Sequence, residues 1–444
     1  MIKEDEILLV KEVLRISREN GAGKARATLS VSEEDLVATL NGEVDRITHC
    51  LDRSMSVSLF VDGRFGSFST NKLDNASLEK FIAKAVETVR MLAPDECRDL
   101  PDQARCCKDA LTGDELEIVD GCRDEITPKM RIEAALKASV FNEPTPDGYK
   151  IISEEGEYSD SIYSTVIMDS EGLCCLHSET SFDYGVELTI EAGEDRISGY
   201  GWDSSSRFKE LSLRENGLEA LRRAVGQIGS APAPGGKYNM VIDREVASKA
   251  VSPILRALNA YSLQQNNSFL MDSLGKQVFP EGMTIMDLPH IKGQVCSKLF
   301  DSEGVSTKEG PIIENGVIRQ YFVNTYMAGK MGIEPTVEDP TRPAVMPWPE
   351  PGLDLDAILK KCGSGILVTD FNGGNSNSAT GDFSYGIEGY LFEDGKIVRP
   401  VSEMLVTGNF LSLWAGLIAA GDDPRPCMSK LIPTLAFANV DFSG

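Results

Sequence analysis

Residues 4–20 set Leu8, Leu9, Leu14 and Ile16 among charged side chains, a spacing that predicts a helix with one buried face. Gly21 and Gly23 end it. From Lys24 to Val31 the pattern switches to alternation, with Ala25, Ala27, Leu29 and Val31 on one side. Ser56 to Phe68 alternates too, around a tight-turn signal at Asp62-Gly63. The clearest helix is Ser77 to Met91, where Leu78, Phe81, Ile82, Ala85, Val86 and Val89 recur at helical spacing. These elements predict an α+β domain over residues 1–93.

Residues 94–126 carry prolines, cysteines and many acids and read as a linker. A central α+β domain over 127–228 follows. Its expected elements are a helix near Lys129–Val140, strands at Ile162–Val166, Leu173–Ser178 and Gly185–Ile190, and a helix over Leu211–Ile228. The run Gly229-Ser230-Ala231-Pro232-Ala233-Pro234-Gly235-Gly236 is the strongest boundary signal, giving a linker over 229–237. Residues 238–444 then form a β-rich C-terminal domain. The fold class is α+β throughout: a mixed N-terminal region followed by that domain.

Composition changes this picture in three ways. The net charge of -25, with 69 acidic against 44 basic residues, works against binding to nucleic acid, which needs clustered cations to displace counterions. The acidic, periodic start MIKEDEILLVKEVL reads as a helix rather than a leader, and no apolar run is long enough to span a membrane. A cytoplasmic protein is expected. The ten cysteines are scattered over a large chain, which points to free thiols rather than a disulfide framework.

The chemistry is thinly spread. Cys174-Cys175-Leu176-His177 is the one metal-like cluster, and it lacks a second ligand pair at standard spacing. The run from Asn372 to Gly381 lacks the Gly-Lys-Ser/Thr ending of a phosphate loop and reads as a surface loop bordering a cleft. Asp243 to Lys249, D-R-E-V-A-S-K, follows the linker and a short apolar strand. Asp243 is placed to cap an amphipathic helix, with Glu245 in its first turn. Glu245 and Lys249, four apart, would make a surface ion pair worth about 0.2–0.5 kcal/mol.

Five segments in order resemble the TldD/PmbA (TldD/TldE) family: LFDSEGVSTKEGPIIENGVIRQYFVNTYMAGKMGI at 299–333, PWPEPGL at 347–353, ATGDFSYGIEGYLFEDG at 379–395, IVRPVSEMLVTGN at 397–409 and CMSKLIP at 427–433. In the TldD branch the helix at 243–249 reads H-E-x-x-x-H, and its histidines hold a catalytic zinc. Here Arg244 and Lys249 stand at those positions, beside Glu245. Neither cation replaces neutral imidazole on zinc.

The resemblance therefore implies the PmbA (TldE) branch. This is a subunit with no metal of its own, in a cytosolic metalloprotease whose zinc sits in a TldD-like partner and whose substrates are small unfolded polypeptides. It also places Thr380, Gly381, Asp382, Phe383 and Ser384 close to the substrate cleft. The family has been linked by name to DNA gyrase, although the charge works against direct binding to DNA. In isolation a homodimer is expected. The alternatives are a stand-alone homodimeric binding protein without a proteolytic role, and an autonomous hydrolase with an unrecognised site.

Overall fold

The computed structural model describes residues 2–146 and 148–444. The chain opens with helix α1 (Glu4–Glu19), strands β1 (Lys24–Leu40), β2 (Glu43–Val61) and β3 (Arg64–Thr70), and helix α2 (Asn75–Arg90). After a stretch with a single 3-10 turn at Gly121–Glu125 come helix α3 (Pro128–Lys137), strands β4 (Lys150–Asp169), β5 (Cys174–Ala192) and β6 (Asp195–Ser205), and helix α4 (Leu213–Gly226).

All six strands form one antiparallel sheet in the order β3-β2-β1-β4-β5-β6. Residues on both sides of the 94–126 stretch thus share a single layer, joined where Arg26 lies opposite Asp169 and Leu40 opposite Glu155. Ala25, Ala27 and Leu29 face α1 and α2 with Val10, Val13, Ile82 and Val86. Further along the same sheet Val37 and Tyr158 pack against α3 and α4.

The strands run well past their apolar alternation. β1 continues through Glu33-Glu34-Asp35 because distant arginines meet Glu33 and Asp35, while Glu34 faces solvent. Arg123 reaches Glu33 (3.2 Å), Asp35 (3.4 Å) and the fully buried Asp160 (3.0 Å), and Arg131 reaches Asp35 (2.9 Å) and Asp160 (2.6 Å). Asn41 and Gly42, both at positive φ, make the two-residue turn between β1 and β2.

The C-terminal region holds β7 (Gly236–Ile242), α5 (Ser248–Ala257), α6 (Ala260–Gln264), β8 (Ile285–Asp287), β9 (Gly310–Glu314), β10 (Val317–Ile318), α7 (Thr325–Met331), β11 (Pro343–Val345), α8 (Leu355–Cys362), β12 (Gly365–Phe371) and β13 (Asn375–Ser376). It ends with β14 (Asp382–Glu393), β15 (Lys396–Asn409), α9 (Phe410–Ala415), β16 (Leu417–Ala420) and β17 (Leu435–Ser443). β12 pairs with β7, β7 with β17, β17 with β15, β15 with β14, and β14 back with β12. The ring leaves none of these five strands as a bare edge. Its core holds Met240, Ile366, Ile387, Val406 and Phe437, and α5 adds Val251 and Ile254.

Candidate functional site

The segment after β7 differs from the expected capped helix. Asp243 to Ala247 forms turns, with Val246 N–H donating to Asp243 O and Lys249 N–H to Val246 O, and α5 begins only at Ser248. Asp243 Oδ1 accepts from the amide of Glu245 at 2.9 Å, so it fixes a turn instead of capping the helix. Its own amide donates to Val368 of β12, which ties the segment to the barrel. Burial pushes the Asp243 carboxyl up, and the neighbouring Glu245 adds to this against the amide hydrogen bond.

The expected Glu245–Lys249 pair does not form, because stronger partners claim both side chains. Glu245 Oε1 takes Arg425 Nη1 at 2.8 Å and Oε2 takes Arg223 Nη2 at 2.7 Å. The Glu245 side chain is 12% exposed, Arg425 14% and Arg223 26%. Arg223 comes from α4 and also donates to Glu219. Arg425 sits between two prolines and reaches back to Asp203 and the carbonyl of Trp202 on β6, with its guanidinium 4.2 Å from the Trp202 ring. Glu245 thus joins the C-terminal domain to the central one. Lys249 turns the other way, its Nζ 4.7 Å from the Tyr385 ring. Arg244 Nη1 donates to the carbonyl of Asp423 at 3.0 Å.

Arg244 and Cys427 line the same cavity of about 330 Å³, with Asp203, Gln294 and Arg425. Burial raises the Cys427 thiol, which disfavours the thiolate a metal would need. Behind the cavity, fully buried Arg342 donates to Pro426 O at 2.6 Å and also to Val295 O, holding this tail in place.

These residues do not fit zinc. Two positions carry cations aimed at different neighbours, and both oxygens of the remaining carboxylate face guanidiniums. Among the described residues, one group of three potential ligands lies close together, Glu33, Asp35 and His49, and Arg123 and Arg131 already engage its acids. Cys174 is exposed on β5, whereas Cys175 and His177 are buried.

The loop entering β14 is built for shape. Thr380 Oγ1 donates to Asp382 at 2.7 Å, and Asn409 donates to Asp382 at 2.9 Å and to Thr380 O at 2.8 Å. Gly381 has φ +80, and a Cβ there would lie 3.1 Å from the Phe269 ring. Phe383 is buried between Tyr385 and Phe410, and Ser384 is exposed opposite Asn375. The loop reaches the altered segment through Tyr385, which carries Lys249 on its ring. Sequence reading missed Arg223 and Arg425. The available signal was Pro424-Arg425-Pro426, a cation held between two rigid residues.

A second cavity, of about 550 Å³, lies between the sheet and the C-terminal domain, lined by Tyr163, His177, Glu179, Lys298, Asp301 and Glu338. Burial, with Glu338 and Glu303 nearby, pushes Asp301 up to about 7.

Comparison with known proteins places this geometry. Residues 27–89 match the PmbA/TldA metallopeptidase domain 1, 124–228 the central domain and 235–444 the C-terminal domain. The metalloprotease PmbA of Escherichia coli O157:H7 is 26% identical over 97% of this chain and 96% of its own length. The PmbA homologue of Haemophilus influenzae is 28% identical over 93% and 90%. A crystal structure from Bacteroides thetaiotaomicron, of a protein whose name links it to modulation of DNA gyrase, is 37% identical with a TM-score of 0.95 over 100% of both chains. TldE from Thermococcus kodakarensis, 17% identical, shares the fold at a TM-score of 0.84 over 98% of this chain and 100% of its own. With three family domains matched in order along its length, this chain belongs to the PmbA/TldA metallopeptidase family.

Proposed function

We propose that this chain is the zinc-less, PmbA (TldE)-type subunit of a two-protein cytoplasmic peptidase. The observation that carries this reading is the clamp on Glu245. A general base must accept a proton from a metal-bound water, and both of this carboxylate's oxygens are held by arginines. The chain's part is to form cavity wall and substrate contacts around extended peptides, with the Thr380–Ser384 loop at the cleft. A zinc-bearing TldD-like homologue supplies the metal and the activated water.

The test is reconstitution. The purified chain is analysed for zinc and assayed on an unfolded polypeptide, alone and with the zinc-bearing homologue. Chelator-sensitive cleavage only in the mixture is the expected result. Chelator-insensitive cleavage by the chain alone would favour an autonomous hydrolase. A chain that neither binds the homologue nor changes its activity would leave the stand-alone binding protein.

A further inference from the structure

A third cavity, of about 580 Å³, lies beside the one between the sheet and the C-terminal domain, and Asp339 and Pro340 line both. Ser252, Leu255 and Arg256, spaced as helix neighbours are, bring one face of α5 to its wall. Lys430 enters from the tail that follows Cys427, and Ser378 from the loop that leads to Thr380. Arg256 is exposed and Lys430 half-buried. Among the described residues neither cation meets a carboxylate at ion-pair distance, whereas Arg223 and Arg425 each meet two. The acid on this wall, Asp339, is held by Asn259 Nδ2 at 2.8 Å. A place in the last turn of α5 accounts for Arg256 through the helix dipole. It does not account for Lys430, which arrives on a separate loop and lines the same space.

We propose that this cavity binds a carboxylate of an extended peptide, held by Arg256 and Lys430.

Charge selects that ligand. Two cations and one acid leave a single positive charge, which matches a monoanion. A phosphate group, at about −1.5 to −2 near neutral pH, would stay under-neutralised. The adjoining cavity opposes polyanions further, because Glu179, Asp301 and Glu338 line it and Lys298 is its one Lys or Arg. A ligand with an anionic group at one end and a neutral or basic body suits both spaces, and a peptide has that form. The planar fork of an arginine matches a carboxylate through paired N–H groups. A peptide's C-terminus and an acidic side chain offer the same chemistry. This inference rests on the reading of the chain as a peptide-contacting subunit and adds which group of the peptide is gripped.

Isothermal titration calorimetry of the full chain tests it with short unstructured peptides of one Gly/Ser/Leu/Lys composition. One has a free C-terminus, one is amidated, and one is amidated with an internal Glu. The free acid should bind about tenfold or more tighter than the amide, as the loss of a charge-assisted hydrogen bond implies. The internal Glu separates the two sources. Recovered affinity means that any carboxylate is taken, and no recovery means the C-terminus alone; both support the proposal. Arg256→Gln and Lys430→Gln should each weaken the acid peptide about tenfold and together erase its advantage over the amide. Arg256→Lys should keep part of that advantage. Circular dichroism checks that the variants fold. Equal affinity for acid and amide, variants that leave the difference intact, inorganic phosphate binding more tightly than acetate, or no binding of any peptide would overturn it. Chelator-sensitive cleavage by the reconstituted mixture would then stand without this inference.

Discussion

Replacing Glu245 with Gln separates a structural clamp from a catalytic base. The substitution keeps one oxygen for one guanidinium and turns an amide N–H₂ toward the other. Of one charge-assisted hydrogen bond, from Arg425 at 2.8 Å, and one ion pair, with Arg223 at 2.7 Å, one contact is lost outright. Bonds to charged groups are worth about 1.5–3 kcal/mol each. Arg223 keeps Glu219, and Arg425 keeps Asp203, so neither cation is stranded. The net loss should therefore fall near the lower end, about 2 kcal/mol. Urea unfolding followed by tryptophan fluorescence is a suitable assay, because Trp202 packs on Arg425. Circular dichroism in parallel tests whether the domains unfold together. A cycle with Arg425→Met should give a coupling of about 1–2 kcal/mol. Unchanged stability, with activity in the reconstituted mixture abolished, would refute the clamp and return Glu245 to catalysis.

Further outcomes follow from the same geometry. Asp301 is raised in the folded state, so between 3.8 and about 7 the fold holds a proton that the unfolded chain has released. Its contribution to stability should fall as pH rises through that window, and Asp301→Asn should flatten the slope of thermal stability against pH; an unchanged slope would refute the assignment. Arg342→Met strands the carbonyls of Val295 and Pro426 and should cost roughly 2–4 kcal/mol in denaturant titration, with faster hydrogen exchange at 424–427; wild-type exchange there would refute its anchoring role. The double change Arg244→His with Lys249→His should yield at most weak zinc binding by calorimetry, since Glu245 stays clamped; tight stoichiometric binding would mean that the rest of a metal site had persisted. Duplex DNA should not bind at about 150 mM salt in an anisotropy assay, given the net charge of -25, and micromolar affinity would contradict this.

Local signals in the chain were legible wherever one face of an element is apolar. The Ser77–Met91 periodicity became Asn75–Arg90, and the Asp62-Gly63 turn carries positive φ at both residues. The Pro/Gly run ends where β7 starts. Strand length was not legible, because β1 and β4 cross Glu33, Asp35 and Asp160, whose partners Arg123 and Arg131 lie far away in sequence. Asn41-Gly42 is a hairpin signal in its own right, with both residues at positive φ. At the site, the identities at 244, 245 and 249 were plain. Their partners Arg223, Arg425, Asp423 and Tyr385 were not, since each arrives from another element and no i,i+4 rule reaches them.

The shared sheet has a consequence for synthesis on the ribosome. β1, β2 and β3 can pair as soon as residue 70 has emerged, but the second side of β1 waits for β4, which begins at Lys150. At roughly 5–20 residues per second, that delay is on the order of ten seconds. Throughout it a nascent chain carries a seventeen-residue strand with one row of hydrogen-bonding groups unmet. Acidic side chains at 33–35 put like charge along that row, which disfavours its pairing with the same segment of a neighbouring nascent chain.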